Sequence, residues 1–334
     1  MRRLTRMLLL AVIVALTVPV DGQAQRRYMD ADGNVRIALS MQPFSPNGAS
    51  RGPATMAEGG IREILAEVGA TIRTAEAALT PDEDAEYGGW KRLGMALGHY
   101  ADIVAANEKE GWFTVGLLAT CPSMPGLVAG LQHSGPTLEP LRVGMLWLDA
   151  HGDINTPETT RSGSLGGMPV AVATGRALHG IRLDAGLNPP LSDQHVVMGG
   201  VRLNDPLEQF IIDNSRIEQL TVDDLRNATP AVFAQMDRLN EISDRLYVHV
   251  DMDVLDPREV EGHGNKVPNG PSSEQLGRLF EMIFRRYPKA SALGIASIPA
   301  NDEGGLAIAA VNRMIAGAVE GVIAREKQGT QTGR

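Results

Sequence analysis

Val143-Gly144-Met145-Leu146-Trp147-Leu148 runs directly into Asp149-Ala150-His151-Gly152-Asp153. A short apolar run closed by polar and small residues reads as a strand buried on both faces, the kind that parallel sheets use. Side chains alternate along an extended chain, so positions 149, 151 and 153 project to one side while Ala150 and Gly152 stay small behind them. Two carboxylates and an imidazole converging on one face repel or desolvate one another unless a cation sits between them.

The pattern recurs. Leu246-Tyr247-Val248-His249-Val250 leads into Asp251-Met252-Asp253, which again puts two carboxylates on one face at the end of an apolar strand. Two such clusters at two strand ends can hold two ions together, with a carboxylate bridging them. Asp256, next to Pro257, reads instead as a turn residue. His249, inside its strand, reads as a packed, hydrogen-bonded core group or as a support for a ligand.

Around these runs, short apolar segments alternate with helix-like ones. Strands are expected at residues 35–39, 113–118, 143–148, 195–198, 245–250 and 292–295. Helices are expected at 53–68, through Trp90, Leu93, Leu97, Tyr100 and Val104, and at 125–132, 206–213, 231–239, 272–285 and 305–325. No hairpin signal dominates, and residues 25–51 outside the first strand read as loop. This rhythm predicts an α/β fold with a mostly parallel sheet covered by helices, in one domain. In such sheets ligands collect beyond the carboxyl ends of the strands, and the acidic clusters lie there.

With 334 residues, 43% of them hydrophobic and 21% charged, the chain has ample material for a core. Arg2, Arg3 and Arg6 precede an uncharged apolar run over residues 7–20, and small residues follow near Ala24. That order reads as a secretory signal peptide over residues 1–24. The run is short for a membrane span, which needs about 20 residues. Residues 25–334 would then form a single exported domain, periplasmic or secreted. Removing three arginines and one aspartate with the leader takes the formal net charge from −9 to −11, which argues against nucleic acid or an anionic membrane as partner. The single cysteine, Cys121, excludes an intramolecular disulfide framework.

Beyond the paired clusters, the chain resembles the arginase and agmatinase (ureohydrolase) family. Asp149-Ala150-His151-Gly152-Asp153-Ile154-Asn155-Thr156-Pro157, with Ser162-Gly163 downstream, is similar to the family's stretch from metal ligands to substrate loop. Val201-Arg202-Leu203-Asn204-Asp205-Pro206-Leu207-Glu208 resembles the segment that faces the substrate's α-amino group, and Asp251-Met252-Asp253-Val254-Leu255-Asp256-Pro257 the second metal motif. The early Gly52-Pro53 is similar to the pair that opens the family's first long helix. The resemblance implies a three-layer α/β/α sandwich around an eight-stranded, mostly parallel sheet, a two-manganese centre, and hydrolysis of linear C–N bonds in guanidino or amidino compounds. It also implies trimers or hexamers. Residue by residue, it implies Asp149, His151, Asp153, Asp251 and Asp253 as metal ligands. Asn155 and Ser162 would meet the carboxylate of an amino-acid-like substrate, and Asp205 and Glu208 its amino end.

Three positions depart from the family pattern. Cys121 stands where a metal-binding His is usual, and a thiolate there shifts preference from manganese toward zinc, nickel or iron. Gly166 stands where arginases carry a proton-shuttling His, and Ser297 aligns with the Glu that holds the guanidinium. These changes imply a substrate less basic than plain guanidinium, or N-substituted. In this reading two cations activate water, Asp153 orients it and takes its proton, and Asp153, solvent or His263 supplies the proton to the leaving amine. Two other readings fit the same residues: a metallohydrolase of a formimidoyl or amide group, and a non-catalytic exported binding protein. The leader reading makes a simple prediction, namely that protein recovered from the exported fraction begins at Gln25. N-terminal sequencing checks it, and recovery of an uncleaved start would refute it.

Overall fold

A computed structural model describes residues 27–328, so the leader read at residues 1–24 lies outside the described residues. The first half runs β1 (Val35–Gln42), the two-residue hairpin strands β2 (Phe44–Ser45) and β3 (Gly48–Ala49), then α1 (Gly52–Glu58), α2 (Ile61–Glu67) and β4 (Ala70–Glu76). Next come α3 (Pro81–Asp84), α4 (Gly89–Lys109), β5 (Phe113–Leu118), α5 (Met124–Gln132) and β6 (Val143–Leu148). The middle contributes α6 (Pro169–Ala173), α7 (His179–Asp184), β7 (Val196–Gly199), α8 (Pro206–Asp213) and β8 (Glu218–Leu220). The chain closes with α9 (Val222–Asn227), α10 (Pro230–Ile242), β9 (Arg245–Asp251), α11 (Ser273–Arg286), β10 (Ala290–Ala296) and α12 (Leu306–Gln328).

Eight strands form one sheet in the order β4-β1-β5-β10-β9-β6-β7-β8, and every neighbouring pair is parallel. The alternation along β9 shows how the layers arise. Leu246, Val248 and Val250 enter the core shared with α10, α11 and α12, while Tyr247 enters the opposite core, shared with α4, α5 and α6. Both faces are covered, which is why the strands are near-continuous apolar runs. The result is the expected three-layer α/β/α sandwich.

Three differences from the sequence expectation have local causes. The helix expected over residues 53–68 is two helices, because Gly59-Gly60 interrupts it: Gly60 has φ +89°, and a Cβ at Gly59 would meet Ile308 Cγ2 of α12 at 2.7 Å. The strand expected from residue 195 begins at Val196, since His195 closes a tight turn. The outermost strands β4 and β8 escaped notice. At a sheet edge only one neighbour supplies hydrogen bonds and burial, so β4 is mostly half-exposed and β8 is three residues long.

Behind the sheet, α11 and α12 meet at glycines: a Cβ on Gly317 would lie 2.1 Å from Gly277 O. Gly317→Ala therefore forces the helices apart and is expected to cost about 1–3 kcal/mol or more. Urea denaturation measures this, and an unchanged midpoint would show that the helices can separate freely.

Candidate functional site

Three central strands, β5, β9 and β6, aim their carboxyl ends at one place. After β5 the chain turns through Cys121–Ser123 into α5, burying Cys121. After β6 come Asp149, His151 and Asp153, and β9 ends in Asp251 with Asp253 in the turn beyond it. The two acidic motifs are knitted by backbone hydrogen bonds. The His151 N–H donates to Asp149 Oδ1 at 2.7 Å, the Asp253 N–H to Asp251 Oδ1 at 2.9 Å, and the Ala150 N–H across to Asp253 Oδ1 at 3.3 Å. Asp153 sits at φ +49°, a region that costs a non-glycine residue energy and persists where the surroundings enforce it. Here the Val170 N–H holds Asp153 O at 2.9 Å.

Donor atoms converge in three overlapping groups, each with its atoms within 4.8 Å of one another: Cys121, Asp149 and Asp251; Asp149, His151 and Asp253; Asp251, Asp253 and His263. Cys121 Sγ is 2.7 Å from Asp251 Oδ2 and 4.0 Å from Asp149 Oδ2. His151 Nδ1 lies 3.2 Å from Asp253 Oδ2. His263, which sequence reasoning had taken only for a proton donor, faces the same cluster with Nε2 3.7 Å from Asp251 Oδ1. Its loop follows Asp253 by several residues, and only the fold brings it back. Asn265 N–H donates to His263 Nδ1 at 3.2 Å, so in the neutral ring Nε2 carries the hydrogen toward Asp251.

Electrostatics say what such a cluster needs. Burial, then the neighbouring carboxylates, push Asp149 and Asp153 well above the usual carboxylate range, and the same causes raise Asp251 to about 6. Burial and the nearby aspartates also push the Cys121 thiol well up. Asp253 goes the other way: burial would raise it, but hydrogen bonding to His151 and the charges of His151 and His263 hold it below the ordinary value. Buried like charges relieved by a cation are the physical signature of a metal site. Carboxylate, imidazole and thiol donors together suit divalent transition metals.

The cluster forms the floor of a cleft of about 980 Å³. Asn155, Ser162, Asp205 and Glu208 all line it, as do Gly166 and Ser297. Asn155 Nδ2 donates to Asp205 Oδ2 at 3.4 Å, and Arg161 Nε stands 3.7 Å from Asp205. Glu208 is buried, with its two oxygens already accepting from Ile154 N–H at 3.0 Å and Asp205 N–H at 3.1 Å. It therefore braces the loop after Asp153 as well as facing the cleft. Ser297, at φ +65°, places its Oγ 3.9 Å from Cys121 Sγ. Asp256 is a turn residue, as expected: it accepts from Arg258 N–H at 3.0 Å.

Other participants were not visible in the sequence. Arg202 ties the chain beyond Asp253 in place by donating to carbonyls of Asp253, Val254, Val267 and Pro268. Asn204 Oδ1 holds Gly152 N–H at 2.8 Å. Trp90 and the Ser45–Asn47 end of the β2–β3 hairpin form part of the rim; the turn-rich residues 43–48, expected as loop, pair as this short hairpin.

His249 is fully buried, its ring stacked on Trp147 with centroids 4.0 Å apart and planes 5° from parallel. Nε2 lies 3.2 Å from Cys121 Sγ and Nδ1 2.6 Å from Tyr247 Oη. Burial holds its pKa down at about 3, so the ring is neutral.

The fold and this donor cluster together define a three-layer α/β/α protein with a carboxylate-rich candidate metal site at its strand ends. Residues 120–316 match the family model described as "Arginase family", and the chain belongs to that family. The arginase of Bacillus caldovelox is 32% identical over 164 residues, covering 48% of this chain and 55% of that protein. The chain spans about half the length of the curated relatives it matches first. In structure, the likeness to the arginase of Bacillus subtilis covers 85% of this chain and 98% of that one, with a TM-score of 0.74 and 22% identity. The formimidoylglutamase of Bacillus subtilis gives a TM-score of 0.65 at 17% identity, over 88% and 89% of the two chains. At these identities the structural likeness establishes the shared fold.

The raised carboxylate pKa values carry a consequence for the metal-free protein. A carboxylate whose pKa is higher folded than unfolded contributes stability that is fully present below the unfolded value and lost as pH rises through the folded one. Stability of chelated protein is therefore expected to fall as pH rises through about 6, the Asp251 value, and further as Asp149 and Asp153 ionise. Asp253 acts in the opposite sense, in a lower window. Because metal binds the deprotonated ligands, added divalent ions should stabilise more at higher pH. Melting temperatures across pH with chelator and with metal test this; a chelated protein that grows more stable from about pH 6 to 8 would contradict the electrostatic account.

Proposed function

We propose that the protein is a binuclear metal-dependent hydrolase of linear C–N bonds in a guanidino or amidino compound with an amino-acid-like end. The observation that carries this reading is the convergence of the three donor groups within 4.8 Å, buried at the floor of the cleft. Cys121, Asp149, His151, Asp153, Asp251 and Asp253 would hold two divalent ions, manganese by family likeness, with zinc, nickel or iron favoured by the thiol. Bound there, such ions supply Lewis acidity toward water and offset the charge that develops at the substrate carbon.

The protein's own groups do the rest. Asp153, braced by Val170 and the loop that Glu208 pins, orients the attacking water and takes its proton at a carboxylate oxygen. The proton that Asp153 takes returns to the leaving amine, and His263, whose Nε2 faces the cleft, would deliver a proton there when in its imidazolium form. Asn155 and Ser162, on the loop after Asp153, and Asp205, at the start of α8, line the cleft together, supporting recognition of carboxylate and amino groups. Next to the thiol, Ser297 offers a neutral hydroxyl where the family resemblance leads one to expect a carboxylate. A buried guanidinium without its carboxylate partner loses several kcal/mol of interaction, which favours a less basic or N-substituted guanidine over free arginine. The same hydroxyl supports a second reading, hydrolysis of a formimidoyl or amide group. Export by way of residues 1–24 belongs to this proposal.

One experiment tests the reading: metal analysis of wild type, Cys121→His, Cys121→Ser and Asp153→Asn, with urea, ammonia and formamide release measured on the same samples across guanidino, formimidoyl and amide substrates. Two equivalents are expected in wild type and in Cys121→His, and fewer in Cys121→Ser. Asp153→Asn should lower turnover by about 10²–10⁴-fold. Two equivalents retained in Cys121→Ser would remove Cys121 from the ligand set. Tight binding of a guanidino acid without any product, undisturbed in Asp153→Asn, would leave a binding protein in place of an enzyme.

A further inference from the structure

We propose that Tyr247 and His249 form a hydrogen-bond relay that donates an N–H to Cys121 Sγ, making them the positioning residues that fit this thiolate as a metal ligand. The proposal rests on Cys121 being a ligand, and it goes beyond that reading by assigning the groups that tune it.

The geometry is directional. Tyr247 Oη lies 2.6 Å from His249 Nδ1, and His249 Nε2 lies 3.2 Å from Cys121 Sγ. On its other side Sγ donates to Asp251 Oδ2 at 2.7 Å. A thiol that gives its only hydrogen to Asp251 can only accept from the imidazole, so Nε2 must carry the ring hydrogen. Nδ1 is then the acceptor, and the phenol donates to it. Every group is satisfied by one arrangement, running from Tyr247 through His249 and Cys121 to Asp251. When a cation replaces the thiol hydrogen, released to solvent, the Nε2–H donor remains in place for the thiolate.

The fold builds room for this relay. Trp147, His249 and Gly294 are register partners across β6, β9 and β10. Trp147 clamps the imidazole plane from one side by stacking. On the other strand, a Cβ at Gly294 would lie 2.3 Å from Tyr247 Oη, so glycine there is what admits the phenol. Tyr247, His249, Cys121 and Asp251 are all buried, so a lost donor within the relay is costly. Outer hydrogen bonds of this kind orient a ligand and set how strongly it donates to the metal.

Cobalt(II), loaded alone into chelated full-length protein, reads the thiolate directly. Wild type is expected to show a sulfur-to-cobalt charge-transfer band that Cys121→Ser abolishes. Tyr247→Phe and His249→Phe should each move that band to longer wavelength and weaken cobalt binding by roughly tenfold to a hundredfold. Gly294→Ala, which displaces the phenol, should act as Tyr247→Phe does. His249→Phe alters a buried site and needs a folded circular-dichroism spectrum to count, whereas Tyr247→Phe removes a single oxygen. An unshifted band with unchanged affinity in Tyr247→Phe overturns the relay while leaving Cys121 a ligand. No band in wild type overturns both the relay and the role of Cys121.

Discussion

Everything at the functional end of this protein depends on holding like charges where little water reaches them. Asp149, Asp153, Asp251 and Asp253 are all buried, beside a buried thiol. Burial alone favours their protonated forms, and each ionised neighbour adds to the penalty. The sheet supplies the rigidity that keeps them together: three central strands, each paired on both sides, end at one point, and the backbone N–H groups of residues 150, 151 and 253 fix the carboxylates that they meet. A cation turns this repulsion into attraction. The cluster is costly in the metal-free state, and a bound cation would offset that cost, coupling the integrity of the site to occupancy.

That tension explains what the sequence displayed and what it hid. Acidic residues at alternate positions immediately after an apolar strand have few structural excuses, so the motifs at 149–153 and 251–253 stood out, as did the buried strands that carry them. His263 did not, because a loop histidine acquires meaning only when the fold returns it to Asp251. Arg202 and Asn204 were hidden for a related reason. They act on backbone groups, and no side-chain pattern announces a partner that every residue possesses. The edge strands β4 and β8 lacked signal because an edge is half-buried and tolerates ordinary polar residues. The break at Gly59-Gly60 was legible as a glycine pair, but its cause, Ile308 of α12 pressing on Gly59, lies far along the chain.

The departures from the family pattern gain a spatial meaning. Cys121 and Ser297 are far apart in sequence but follow the neighbouring strands β5 and β10, and their side chains are 3.9 Å apart. Here thiol stands beside hydroxyl and next to Asp251, while Asp149, Asp251 and Asp253 stay knit by backbone hydrogen bonds, with His151 and Asp153 beside them. Removing a carboxylate next to a softer, anionic ligand also keeps the local charge from growing more negative. In the proposed reading, the position beside the metal centre and the position facing the substrate's reacting group share a wall of the same cleft. The buried carboxylates are the costliest feature of the site, offset in part by backbone hydrogen bonds and by His151. Those are the residues that remain.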